Sequence, residues 1–236
     1  MFYCINNSLD TKKVGTYPQV EKAVYHCSID DPKFIGNTYF AEIDFEPIVA
    51  NAVLKKKAKL TDLISAGIAG FNLKLLVSDK LKMIITESRV SGLQFYECPI
   101  IHKDNEVDGY WILNVYEIDM KFIDFKKSEI YLTQHVFNNV ERLNILSYED
   151  FLKEKNKIEV LGYPNGIRIE RIALLNNLNQ DFFVLTDVGG GAKYVVSETL
   201  KKIMEDAKCT GIEFMPVELT INEWLHGERE KVYGKA

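Results

Sequence analysis

The sequence of 236 residues predicts an α+β fold, a mostly antiparallel sheet with helices packed over it, and three observations carry that expectation. Runs such as Gly109–Asp119 (GYWILNVYEID), Phe125–Thr133 (FKKSEIYLT) and Gln180–Val188 (QDFFVLTDV) are rich in the β-branched and aromatic residues that suit a pleated surface. Turn signals such as Tyr163–Gly166 (YPNG) punctuate the chain. A helix–turn–strand pattern occurs twice, at Val77–Glu97 (VSDKLKMIITESRVSGLQFYE) and Val196–Pro216 (VSETLKKIMEDAKCTGIEFMP), 119 residues apart.

Each element has its own warrant. In Gly36–Pro47 (GNTYFAEIDFEP) the alternation predicts a strand with Ala41, Ile43 and Phe45 on one face and Glu42, Asp44 and Glu46 on the other, closed by Pro47. Ile48–Ser65 (IVANAVLKKKAKLTDLIS) holds good helix formers and no internal Gly or Pro, so a helix is expected there; Gly67 and Gly70 then break the pattern. Ser147–Lys157 (SYEDFLKEKNK) reads as a short helix with Ser147 as N-cap and Asp150 three residues on. Gly189–Gly191 reads as a loop before the second copy, and the tail from Ile221 starts a short helix and then frays.

Within the repeat, Ser78 and Ser197 stand where an N-cap oxygen would accept from the first helical turn, and Asp79 and Glu198 put negative charge at the positive end of the helix dipole. Leu81, Ile84, Ile85 and Ser88 make one stripe, and Leu200, Ile203, Met204 and Ala207 make the other. Gly92 and Gly211 follow as chain reversals, and a strand starts after each. The constant offset through cap, stripe, turn and strand favours internal duplication, or two units packed in equivalent ways, over coincidence between common building blocks. The repeat is built from packing, capping and turn residues and contains no paired reactive groups, so the pattern predicts a scaffold.

Composition narrows the function. A net charge of −5 suits a basic protein partner better than a nucleic acid, which needs basic patches. No secretory leader is expected from the start MFYCINNSLD, and no apolar run approaches the length of a membrane span. Cys4, Cys27, Cys98 and Cys209 are scattered, as free thiols in a reducing cytoplasm would be, with no zinc spacing. His26, His102, His135 and His226 show no chelating spacing, which implies no metal and no cofactor. Asp187–Lys193 (DVGGGAK) lacks the spacing of a phosphate-binding loop, and Lys55–Lys59 (KKKAK) reads as a solvated helix face. The acidic face of Glu42, Asp44 and Glu46 is the surface feature expected to steer a basic partner.

Six segments in order, Ala58–Ser65 (AKLTDLIS), Leu76–Ile85 (LVSDKLKMII), Leu93–Lys103 (LQFYECPIIHK), Gly109–Glu117 (GYWILNVYE), Ile123–Leu132 (IDFKKSEIYL) and the second repeat copy, resemble a large bacterial family. It was first catalogued as a domain of unknown function and is now described as immunity proteins of polymorphic toxin and contact-delivered effector systems, type VI secretion among them. The resemblance spans Ala58 to Val217, while the first fifty residues match it weakly; the expected organisation is an N-terminal strand and helix region at 1–57 that shares one core with an immunity-like α+β domain at 58–236. It implies a cytoplasmic protein, encoded beside a toxin, that binds the toxin's catalytic domain and blocks it without catalysis of its own, and it supplies no active-site motif. Two other classes stay open on the residues: a hydrolase or transferase with a His/Cys site assembled from distant positions, and a small-ligand or nucleic-acid-binding module near Lys55–Lys59.

Overall fold

The computed structural model describes residues 1–135 and 138–235. The chain opens with strand β1 (Phe2–Asn7), a single turn of helix α1 (Thr11–Val14) and β2 (Val20–Val24). Next come β3 (Asn51–Leu54), β4 (Leu63–Ile64), β5 (Leu75–Ser78), helix α2 (Asp79–Ser88) and β6 (Leu93–Glu97). The middle supplies β7 (Ile100–His102), β8 (Asn105–Val107), β9 (Tyr110–Val115), β10 (Glu129–Gln134) and β11 (Asn138–Leu143). Helix α3 (Tyr148–Leu161), β12 (Asn165–Arg171), β13 (Phe182–Val188), β14 (Gly191–Ser197), α4 (Glu198–Asp206) and β15 (Ile212–Pro216) follow. Two short helices, α5 (Ile221–Glu223) and α6 (Arg229–Tyr233), close the chain.

The strands form three sheets, ordered β11-β10-β12-β13-β14-β1-β15, β2-β3-β7-β8 and β4-β5-β9-β6. Nearly all neighbours are antiparallel, as an α+β fold requires; β12–β13 and β3–β7 are the parallel contacts.

The repeat is a unit of three dimensions as well as of sequence. In the first copy, β5 and β6 flank β9, both antiparallel to it, and α2 joins them. In the second, β14 and β15 flank β1 in the same way, and α4 joins them. The registers coincide at the sequence offset. Leu63 pairs with Val77 where Phe182 pairs with Val196, and Phe95 pairs with Leu113 where Phe214 pairs with Ile5. Ser78 N–H donates to the Asp62 carbonyl at 2.8 Å, and Ser197 N–H to the Asp181 carbonyl at 2.9 Å. The equivalence therefore reaches back to β4 and β13, beyond the repeat visible in the sequence. The central strands sit at unrelated chain positions, β9 after its unit and β1 at the start of the chain.

Both helices are capped as their sequences predict: Ser78 Oγ accepts from Leu81 N–H and Ser197 Oγ from Leu200 N–H. A cap contributes about 1 kcal/mol, and burying one Leu or Ile side chain about 1.5–3 kcal/mol, so packing decides where the helices lie. Leu81 and Ile85 of α2, Leu200 and Met204 of α4, and Val77, Leu113, Ile5, Val196 and Phe182 of the sheets form one shared core. Ile203 and Ala207 fall outside it, exposed to solvent, so the second stripe is narrower than its spacing predicts. A second core under the seven-stranded sheet holds Phe183, Val195, Phe151 and Trp224, and a third behind the small sheets holds Phe34, Ile64, Leu76 and Ile112.

Gly92 and Gly211 end the helix segments at φ +77° and +82°, where a side chain is strained. At Gly211 there is also no room, because a Cβ would stand 2.2 Å from the Leu63 carbonyl oxygen.

Three expectations fail here. Ile48–Ser65 is not a helix: Ala52 and Leu54 of β3 alternate into the third core, and a turn at Lys55–Lys59 leads on to β4. Long-range burial overrides helix propensity at these positions. Residues 38–47 alternate without forming a strand, because they make no ladder. The tail does not fray: after a kink at His226 and Gly227 it is helical again to Tyr233, anchored by buried Arg229, which grips buried Glu213 through two hydrogen bonds of 2.7 and 2.6 Å.

Asp62 ties the two units together. Its carboxylate accepts from Ser78 Oγ at the α2 cap and from Thr210 N–H and Oγ1 in the turn after α4, and it pairs with Lys80 at 3.1 Å. Lys80 in turn donates to the carbonyls of Ala207 and Lys208 near the end of α4. Burial alone would raise the carboxyl pKa; the bonds from Ser78, Thr210 and Lys80 outweigh it and hold the group below the usual range. Its counterpart Asp181 is exposed and bonds Ser197 Oγ without reaching the other unit. Asp62→Ala is expected to cost ~3 kcal/mol in urea unfolding, and Asp181→Ala much less. The Asp62 contribution is full above pH 3.8 and disappears as pH falls further below it. Equal losses for the two variants would mean that the carboxylate bridge between units carries no weight.

Candidate partner-binding surface

The three carboxylates singled out by sequence, Glu42, Asp44 and Glu46, are all exposed, on an irregular segment that crosses the β5–β9–β6 sheet. Of the apolar residues predicted to share the opposite face, Ile43 is buried and Phe45 is exposed. Side-chain clamps, where a strand would have a ladder, hold the segment. Gln94 of β6 bonds both main-chain groups of Ile43, accepting its N–H at 3.0 Å and donating to its carbonyl at 2.8 Å. Asn114 of β9 donates to the Ala41 carbonyl at 2.9 Å and to Gln94 Oε1 at 3.0 Å. Lys74, just before β5, donates to the Thr38 carbonyl at 2.7 Å and to Asn114 Oδ1 at 2.9 Å. Burial pushes the Lys74 ammonium down to about 8.

Lys74, just before β5, Asn114 of β9 and Gln94 of β6 thus form a polar row across the sheet. The same offset relates Lys74 to Lys193 and Gln94 to Glu213, and the matched registers relate Asn114 to Asn6. In the second unit Glu213 takes the Arg229 guanidinium, Ser8 Oγ and Leu9 N–H. One row pins the acidic segment; in the other, Glu213 alone pins the two ends of the chain.

Tyr96 of β6 stands beside this segment. Burial first, then the nearby charges of Glu46 and Glu42, raise its pKa, so those two carboxylates act on the same ring. Sequence alone does not single out Tyr96 and Glu97 of β6. The signal available was the strand start after Gly92; its place at a sheet edge is a property of topology.

The other residues flagged by sequence do not converge. His26 Nε2 bonds Asn51 Oδ1, His135 Nδ1 bonds the Tyr163 hydroxyl at 2.9 Å, His102 lies on β7, and His226 sits in the kink between α5 and α6. Burial raises the thiols of Cys4 and Cys209 to about 11 and that of Cys98 to about 12, and Cys27 is also raised, so none is a ready thiolate at neutral pH. Among the described residues no three His, Cys, Asp or Glu side chains gather as a metal site. Asp187–Lys193 is the hairpin between β13 and β14, with Lys193 buried. Lys56, Lys57 and Lys59 are exposed in the turn after β3, and Ala58 between them is buried. Among the described residues no helix is long and apolar enough to cross a membrane.

Fold and surface together define an α+β protein of two equivalent strand–helix–strand units, one of which holds an acidic strip in a fixed conformation. Residues 5–160, well over half of the chain, match the model of the immunity protein family Imm11. The chain belongs to that family, and membership brings an immunity function. The matched region runs from β1 into α3 and includes the whole acidic strip with its clamps. No curated protein matches the chain.

Gln94→Ala removes both bonds to Ile43, at an expected cost of ~1–2 kcal/mol. Exchange of the Ile43 amide with deuterium should speed up while the amides of α2 keep their protection. An Ile43 amide that exchanges at the wild-type rate would show that the segment does not need the clamp.

Proposed function

We propose that the chain binds the catalytic domain of a cognate bacterial toxin in the cytoplasm and blocks it by direct contact, without chemistry of its own. The observation that carries this reading is the clamped acidic strip. Glu42, Asp44 and Glu46 are exposed in a segment fixed at Thr38, Ala41 and Ile43, so the free protein has already met part of the ordering cost of an interface. Thiols kept protonated, and His26 and His135 bonded to Asn51 and Tyr163, support a non-catalytic role.

The acidic strip suits a basic partner. Toxins that cut or modify nucleic acids carry positive surfaces, and opposite charge speeds encounter. The partner to test is the product of the reading frame next to this one, which should stop growth when expressed alone and be tolerated when this chain is co-expressed. Reversing Glu42, Asp44 and Glu46 together to lysine should slow association about tenfold or more at low salt, and the difference should shrink as salt rises. Thermal stability should change little, since all three side chains are exposed. Association at the wild-type rate would remove the strip from the interface.

A further inference from the structure

Strand β6 is an edge strand, last in the order β4-β5-β9-β6. Its ladder to β9 fixes which main-chain groups face outward. Cys98 N–H donates to the Tyr110 carbonyl and Tyr116 N–H to the Gly92 carbonyl, each at 2.9 Å. Bonded pairs alternate along an antiparallel ladder, so Gln94 and Tyr96 bond β9, while Leu93, Phe95 and Glu97 turn their N–H and C=O groups away from it. Among the described residues nothing accepts the outward N–H of Phe95 or Glu97.

The equivalent edge in the second unit is closed. Phe214, the counterpart of Phe95, donates its N–H to the Tyr233 hydroxyl of α6 at 2.8 Å. The counterpart of Glu97 is Pro216, which has no N–H to offer. One fold thus presents the same edge twice, once shut by a tyrosine and a proline and once open. Open edges are a liability that proteins ordinarily cover, so leaving this one free calls for a use. The other edges of comparable length, β2 and β11, are less suited: β2 is bulged against β3, and β11 is bulged against β10 and carries Glu141 beside Arg142.

We infer that β6 is the docking edge for an extended, basic segment of the toxin, which adds to the β4-β5-β9-β6 sheet as a further strand. This rests on the immunity reading above. Main-chain bonds from Phe95 and Glu97 would give grip and register, and alternate side chains of the incoming strand would meet Tyr96, Glu42 and Glu46. Charge argues against a second copy of this chain as occupant, since two β6 edges paired antiparallel would bring the two acidic strips onto one face of the joined sheet.

Glu97→Pro tests the edge, because the fold already holds proline at the equivalent Pro216. It removes the outward N–H and leaves the β9 ladder intact. Glu97→Gln keeps the N–H and removes only the charge. With the product of the adjacent reading frame as probe, Glu97→Pro should weaken binding about tenfold or more, the scale of a lost main-chain hydrogen bond together with strand register, and Glu97→Gln by much less. In the wild-type chain the Phe95 and Glu97 amides should gain deuterium-exchange protection on binding, a readout that does not depend on the variant folding. Wild-type binding with both amides still exchanging, or with Glu97→Pro at full affinity, would overturn the edge while leaving the immunity reading intact. A wild-type chain that neither binds nor neutralises that toxin would overturn the immunity reading, and the edge with it. A chain that dimerises alone and is made monomeric by Glu97→Pro would assign the edge to self-pairing.

Discussion

Everything in this molecule depends on two strand–helix–strand units sharing one apolar core, with α2 and α4 packed side by side. Hydrophobic burial supplies most of the stabilisation but fixes no unique alignment between two similar surfaces. The carboxylate of Asp62 adds the alignment, because it must satisfy the cap of one helix and the turn after the other at once. Gly211 tightens the same contact, since only a residue without a Cβ lets that turn lie against the Leu63 carbonyl.

Once the units are fixed, the differences between them decide which surfaces stay free. Both sheets carry a polar row at equivalent positions. In one unit a glutamate in that row binds the arginine of the C-terminal helix; in the other a glutamine binds the main chain of the acidic segment. The exchange follows from hydrogen-bonding capacity. A carboxylate only accepts and calls for a cation, whereas an amide both donates and accepts and can hold an N–H and a C=O of one residue together. The C-terminal helix also shuts the β15 edge, and no described element does this for β6. Acidic strip and open edge therefore lie in the same unit, side by side.

How far the sequence could be read follows from the range of each interaction. Caps at Ser78, Ser197 and Ser147, the turn at Gly92 and strands such as β9 and β13 are set by neighbours in the chain, and they fold as their local patterns predict. Ile48–Ser65 is decided instead by distant partners. Ala52 and Leu54 are buried against β7 and the Phe34 region, and no local pattern of lysine, alanine and leucine carries that information. The alternation at residues 42–46 reads as a strand from sequence alone, and the structure makes it an irregular segment. An extended segment pinned at one buried residue, Ile43, has the same alternation as a strand, and Gln94 lies too far along the chain for the clamp to be seen. The equivalence of β1 and β9 was hidden because the two central strands enter their units from different points in the chain. Edge status belongs to the assembled sheet, which is why Tyr96 and Glu97 emerge from the structure and not from their codes in the sequence.

The most direct test is to express the product of the adjacent reading frame, the proposed toxin, and titrate it with the purified chain while following the toxin's activity. A rigid inhibitor that acts by contact should abolish activity at one equivalent, with a 1:1 complex recovered by size-exclusion chromatography and both proteins chemically unchanged. Protection by a small fraction of an equivalent, with the toxin, its product or its cofactor chemically altered, would show turnover and contradict it.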